Sequence, residues 1–232
     1  MAITIVATQT GAQVAAISTQ NVTLSQATGA GNNLVFMGGI QGQFNVCTPT
    51  GGGVGTTWVT LTSNYTQGPG SQIWLASNVP AGVTSFTALS GGGVDVAWIV
   101  MEVAGLSTTV DTTGGGSGAS TTAMNLNAVT TANATDLLVG SVHIKDSGPA
   151  ISSGPTNGWT QIGNPKTSIT ELITAYLVTT QTGSYSTSWV VGSSVTFYDG
   201  STAAIQAAPP PASPTIGLPS SNVVPVLTIQ QW

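Results

Sequence analysis

Bulky apolar residues along this chain come in short runs, and Gly, Pro, Asn, Ser and Thr stand between the runs. Ser71 to Ala76 and Thr174 to Thr179 crowd such residues into runs of about four to six bounded by turn formers, which predicts buried strands. From Ser184 to Val191 polar and aromatic positions alternate, as in a strand with one wet face. Met1 to Thr8 alternates in the same way. The longest apolar run, Val94 to Leu106, contains Asp95 and Glu102 and is too short to span a membrane, so it predicts a core strand. Helix signals are nearly absent. The triplets Gly51-Gly52-Gly53, Gly91-Gly92-Gly93 and Gly114-Gly115-Gly116 predict loops, where glycine's access to positive φ is useful.

The pattern runs through the chain twice. Asn33-Leu34-Val35-Phe36 is answered by Asp136-Leu137-Leu138-Val139, and Trp58 in Thr57-Trp58-Val59-Thr60 by Trp159 in Gly158-Trp159-Thr160-Gln161. Ile73-Trp74-Leu75 is answered by Ala175-Tyr176-Leu177, and Ala81 to Phe86 by Thr182 to Thr187. Two units follow, at about 20–106 and 124–207, joined by a Thr/Ser/Gly-rich stretch from Ser107 to Thr122 that reads as a linking loop or edge strand. Neither unit obviously has enough strands to cover both faces of its own sheet. The expectation is therefore an all-β chain: one jelly-roll-like, two-sheet antiparallel β-sandwich over residues 1–208, built from two sequence-related halves.

Beyond Ala208 the composition changes to Pro209-Pro210-Pro211-Ala212-Ser213-Pro214, with further prolines at 219 and 225. Proline fixes φ and removes a donor, so 209–232 predicts an extended C-terminal arm that forms sheet ladders poorly. Its apolar residues have little reason to hang in water. Pro211, Val224, Leu227, Ile229 and Trp232 are the candidate contacts to the chain's own body or to a neighbouring subunit.

Charge then narrows the function. Of 232 residues only 4% are Asp, Glu, Lys or Arg, two cations against seven acids, where an ordinary domain devotes roughly a quarter. Two lysines and no arginine form no basic footprint, so neither nucleic acid nor an anionic membrane is an expected partner. The N-terminus has neither a basic region nor a continuous apolar stretch of the kind a secretory signal needs. Cys47 is the only cysteine, which excludes an intrachain disulfide and a thiolate metal cluster.

Candidate chemistry is thin. His143 lies at the end of a predicted strand with no second histidine and no nucleophile elbow near it, so it reads as structural. Asp95 and Glu102 are seven residues apart on one strand, on opposite faces and more than about 20 Å apart, too far for a glycosidase pair. Asp111-Thr112-Thr113-Gly114 and Asp146-Ser147-Gly148 are compatible with calcium but lack a dense ligand loop. The tryptophans sit among apolar strand residues and read as core, which leaves loop residues such as Tyr65 as the better sugar contacts. No nucleotide or zinc motif occurs, and no cofactor or catalytic residue is expected.

The order Asp/Asn-Leu-Leu/Val, then Asn157-Gly158-Trp159-Thr160, then a Tyr-Leu-Val-like strand, then Thr182-Gly183-Ser184-Tyr185-Ser186, resembles jelly-roll β-sandwich modules of bacteriophage virion proteins and bacterial surface proteins. It covers about 20–207 and carries over no site residues, and the Pro-rich tail departs from it. The resemblance implies a non-enzymatic virion structural protein, a capsid decoration (cement) protein made in the host cytoplasm and displayed on the particle surface. Its expected partners are further copies of itself, a trimer by analogy, and other virion proteins such as the major capsid protein. The alternative is a receptor- or carbohydrate-binding module of a tail fibre or adhesin, with glycans as ligands.

Overall fold

The structure is a computed structural model, and it describes residues 2–13, 19–41, 48–66, 68–89, 95–145 and 148–210. Its elements are all strands. The first half of the chain supplies β1 (Thr4–Gln13), β2 (Thr19–Thr23), β3 (Asn32–Gln41), β4 (Thr48–Thr50), β5 (Trp58–Asn64), β6 (Pro69–Val79), β7 (Ser85–Leu89) and β8 (Val96–Ala104). The second supplies β9 (Leu106–Thr131), β10 (Asp136–Lys145), β11 (Ile151–Ser153), β12 (Thr160–Gly163), β13 (Thr170–Val178) and β14 (Gly183–Ala207).

Every described pairing is antiparallel. One sheet runs β1-β8-β3-β6-β5 and a small one β2-β7-β4; the largest runs β11-β14-β10-β13-β12, with β9 added on β14. The two large sheets, one from each half, pack face to face. Val35 and Met37 of β3, Ile73 and Leu75 of β6 and Ile99 and Met101 of β8 meet Leu137 and Val139 of β10, Leu172 of β13 and Ala203 and Ile205 of β14. This is the expected sandwich of two antiparallel sheets.

Each half also covers the outer face of its own sheet, which the strand count did not lead us to expect. In the first half β2 and β7 bring Val22 and Phe86 down onto Leu34, Phe36, Trp74 and Trp98. Phe36 meets Phe86 edge-on at 5.6 Å between ring centroids, and Trp58 at 6.3 Å. In the second half two long strands provide the cover. β9 and β14 pair along most of their length, but the register breaks between Val190 and Val195. Such a break lets a ribbon turn a corner. Past the corner, Met124, Leu126, Trp189 and Val191 lie over Leu138, Val142, Ile144 and Ile173.

Alternation within β3 and β10 therefore feeds two cores at once. Odd positions Val35, Met37, Leu137 and Val139 point into the middle layer, and even positions Leu34, Phe36, Leu138 and Val142 point outward into a second core. Both runs are buried without interruption, as the apolar runs in the sequence predict.

The Gly114-Gly115-Gly116 loop is a correction: the triplet lies inside β9. A Cβ on Gly115 would stand 2.5 Å from the Gly200 carbonyl oxygen, and one on Gly116 2.0 Å from that of Asn125. Glycine is needed there for close backbone approach rather than for positive φ. The other two triplets differ from it: Gly51, Gly52 and Gly53 do adopt positive φ in a turn, and Gly91-Gly92-Gly93 lies outside the described residues.

Gly39 sits on β3 at the interface of the two large sheets, where an added Cβ would lie 2.7 Å from His143 Cδ2 and 3.0 Å from Leu172 Cδ1. Both neighbours are fully buried. Gly39→Val should therefore cost about 1–3 kcal/mol by overpacking, read as a lower urea midpoint with an unchanged slope.

Candidate functional site

The few charged side chains of this protein lie mostly inside it. Asp95, Glu102, Asp136, Glu171 and Asp199 are all buried, which leaves Asp111 as the one partly exposed acid among the described residues. A buried carboxylate is costly unless it is hydrogen-bonded or protonated, so each position reports a specific arrangement.

Glu102, on β8, accepts hydrogen bonds from the Gly29 backbone N–H at 2.7 Å and from Asn32 Nδ2 at 2.6 Å. It thus anchors the loop that leads into β3. Asp95 accepts a hydrogen bond from Thr167 Oγ1, which ties the start of β8 to the second half. Glu171 receives Asn164 Nδ2 at 3.3 Å. Burial raises its pKa, against the opposing pull of Lys166 and of the Asn164 hydrogen bond. Asp95 and Glu102 hold different partners in different places, as their spacing predicts.

His143 is fully buried between the large sheets, directly opposite Asp199 in the β10–β14 register. Its Nε2 shares a 2.8 Å hydrogen bond with Thr170 Oγ1. Burial lowers its pKa to about 3, so the imidazole is neutral at ordinary pH. Beside it a hydroxyl cluster bridges the sheets: Ser71 Oγ and Ser141 Oγ are 2.7 Å apart, and Ser201 Oγ donates to the Ser71 carbonyl at 2.9 Å. These groups lock the layers together and present no surface to a substrate.

The arrangement that the sequence reading missed is a pair of aspartates. Asp111, on β9, accepts the backbone N–H groups of Ala132 at 2.6 Å and Asn133 at 3.2 Å. These residues lead into β10, and at its first position the fully buried Asp136 sets its carboxyl near that of Asp111, neither of its oxygens reaching a hydrogen-bond partner among the described residues. A buried carboxyl without a hydrogen-bonding partner is favoured in its protonated form. Burial, and then the nearby Asp111 carboxyl and its charge, push the Asp136 pKa up to about 7. Burial alone would raise Asp111 too, but the two backbone hydrogen bonds and the proton on Asp136 outweigh it and hold Asp111 below the usual carboxylate value. The only hint in the sequence was that Asp136 stands where Asn33 stands in the first unit, a neutral residue whose Nδ2 donates to the Leu106 carbonyl at 3.0 Å.

The other candidates fall in varied places. Trp74, Trp98, Trp159 and Trp189 are buried in the outer cores, and Trp58 packs against the first of them. Tyr65 packs there as well, its ring so close to Gly70 that a Cβ would lie 2.4 Å from Cε1. The arm contacts Pro211, Val224, Leu227, Ile229 and Trp232 lie outside the described residues, as do Cys47 and Asp146. Among the described residues no group of three or more His, Cys, Asp or Glu is placed to hold a metal ion, and no helix is long and apolar enough to cross a membrane. No protein-family model, curated protein or solved structure matches the chain.

The raised pKa of Asp136 carries a sign that can be measured. A carboxyl group whose folded pKa is about 7, against 3.8 in the unfolded chain, keeps its proton on folding. The stability it contributes is complete below 3.8, declines as pH rises, and is gone above about 7. Urea unfolding across that window should show stability falling with pH, and Asp136→Asn should flatten the fall by replacing the titrating carboxyl with a neutral amide of the same shape.

Proposed function

We propose that this protein is a structural component of a bacteriophage particle, a capsid decoration protein that assembles as a homo-oligomer on the particle surface. The observation that carries the reading is where the charges lie. Of the described acids all but Asp111 are buried, so the surface left for partners is built mainly of hydroxyls, amides, glycine and a few apolar side chains, with Asp111, Lys145 and Lys166 its few charges. Such a surface associates through backbone hydrogen bonds and apolar contact, which salt barely screens.

The strand orders support a jelly-roll-like arrangement within each half rather than a single one shared by both. In the first half β1-β8-β3-β6 faces β2-β7-β4. In the second half the early part of β9 follows the late part of β14, then β10 and β13. Facing them, the late part of β9, the early part of β14 and β11 make a second set. Apart from β5 and β12, which extend the larger sheets, each follows the strand order of a jelly roll. We read the halves as two copies of one unit, packed through their larger sheets.

A glycan-binding module would present aromatic platforms. Here the five tryptophans of the two halves and Tyr65 are engaged in packing, which favours the assembly reading.

Light scattering of the purified protein should give a defined oligomer, with a trimer expected. Cryo-electron microscopy of the native particle should place that oligomer on its surface. Association should persist in about 1 M salt, where the Debye length is only about 3 Å. A monomer absent from the particle, or an assembly that dissolves in salt, would overturn the reading.

A further inference from the structure

We propose that Asp111, Asn133 and Asp136 form a calcium site, which clasps β9 to the loop that enters β10. The site belongs to the folded chain and stands whether or not the protein is part of a particle.

Asp136 is the residue that asks for a ligand. It is fully buried, and neither of its carboxyl oxygens has a hydrogen-bond partner among the described residues. Buried acceptors left in that state are costly. At the matching position of the first half Asn33 is closed by protein groups, its Nδ2 donating to the Leu106 carbonyl and its Oδ1 accepting the Asn78 N–H. Asp136 meets instead a second carboxyl, that of Asp111. Neither lysine can balance the two. Lys145 ends the strand that Asp136 begins, about 30 Å away. Lys166 is bridged to Glu171, which pairs with Ile144 at that same far end of β10. What the two carboxyls lack is positive charge, and the lysines do not supply it.

A bulge in β9 brings Asp111 to face it. Ala204 pairs with Thr112 and Ile205 with Val110, so Asp111 is the extra residue between them, and a bulge of this kind re-aims a side chain. Its Oδ2 accepts the Ala132 and Asn133 N–H groups, which fix the carboxyl in place. The Asn133 side chain reaches the same carboxyl, and an amide brings a neutral oxygen as well as a donor. Asp111 and Asn133 are only half-buried, so the site opens to solvent on one side. Every ligand atom in it is oxygen, which selects a hard cation. The set is irregular and is completed by waters. Calcium accepts six to eight such oxygens in flexible geometry, whereas magnesium demands a near-ideal octahedron. With only two carboxylates the affinity falls in the weak range, a dissociation constant of about 0.1–1 mM. Because the oxygens come from a strand, a loop and a second strand, no dense ligand loop marks them in the sequence.

Proton and calcium compete for the Asp136 carboxyl, so the test is run at about pH 8. The full chain is melted in EDTA, in about 10 mM calcium chloride, in about 10 mM magnesium chloride, and in sodium chloride of equal ionic strength. Calcium should raise the Tm by about 3–10 °C over EDTA, and sodium and magnesium by less than about a third of that. Hydrogen exchange at Ala132–Thr135 should slow in calcium. Asp136→Asn, which copies Asn33, should fold and lose the calcium increment. So should Asp111→Asn, whose amide oxygen still accepts the two loop N–H groups. Equal melts in calcium and sodium would overturn the site. A calcium increment that survives both substitutions would also overturn it, by placing the ion elsewhere. An equal rise with magnesium would overturn calcium as the ligand.

Discussion

Leu34 to Ile40 and Leu137 to Ile144 are covered on both faces, and that double burial governs most of what surrounds them. A strand with a core on each side needs two further layers, and the middle layer can be shared. Stacking the two halves through their large sheets satisfies both central strands at once, with β3 and β10 each feeding the common core and one of its own. The outer layers differ in construction. The first half uses separate short strands, and the second folds one long ribbon over itself at the corner between Val190 and Val195.

Double burial also decides where polar groups can stand. At one end of the shared core the side chains are Ser71, Ser141, Ser201, His143 and Thr170 rather than aliphatic; the serines bond across the sheets, and His143 bonds Thr170 within one of them. Each such bond is worth only about 0.5–1.5 kcal/mol net, but leaving a buried partner unmade costs more. The cluster therefore fixes which part of one sheet faces which part of the other, where a purely aliphatic layer could slide. The acids serve a related purpose at the strand entrances. Glu102 receives the backbone N–H of Gly29 before β3, and Asp111 receives those of Ala132 and Asn133 before β10. Two different strands supply the carboxylate, yet each pins the loop that starts a doubly buried strand.

The strands and their burial were legible in the sequence because apolar runs and alternation record the environment of each residue directly. The runs around Leu34, Trp74 and Leu138 gave central strands, and Ser184 to Val191 gave a half-wet one, whose exposed residues include Val190 at 39%. The layer count was not legible, because β9 and β14 read as separate short pieces when the corner between them is taken as a break. The Gly114 triplet misled for a physical reason: glycine permits positive φ and close backbone approach alike, and only the neighbours of Gly115 and Gly116 show which is in use. The aspartate pair was hidden by sequence distance, since the strand order alone brings Asp111 of β9 to the start of β10.

The comparison of Asn33 with Asp136 sharpens what that pair does. At the first position the amide is donor and acceptor at once: Nδ2 reaches the Leu106 carbonyl, and Oδ1 accepts the Asn78 N–H at 3.0 Å. At the second, a carboxylate would be acceptor only and would face another carboxylate. Protonation restores the donor that the amide has permanently. In the second half burial favours a neutral, protonated carboxyl where the first half has a permanently neutral amide, and it does so only while solution pH allows. Of the two entrances to the doubly buried strands, the one at β10 is consequently the weaker as pH rises. The stacked layers should loosen first at the loop Ala132–Thr135, where Asp111 would lose its neutral partner while keeping its two backbone hydrogen bonds.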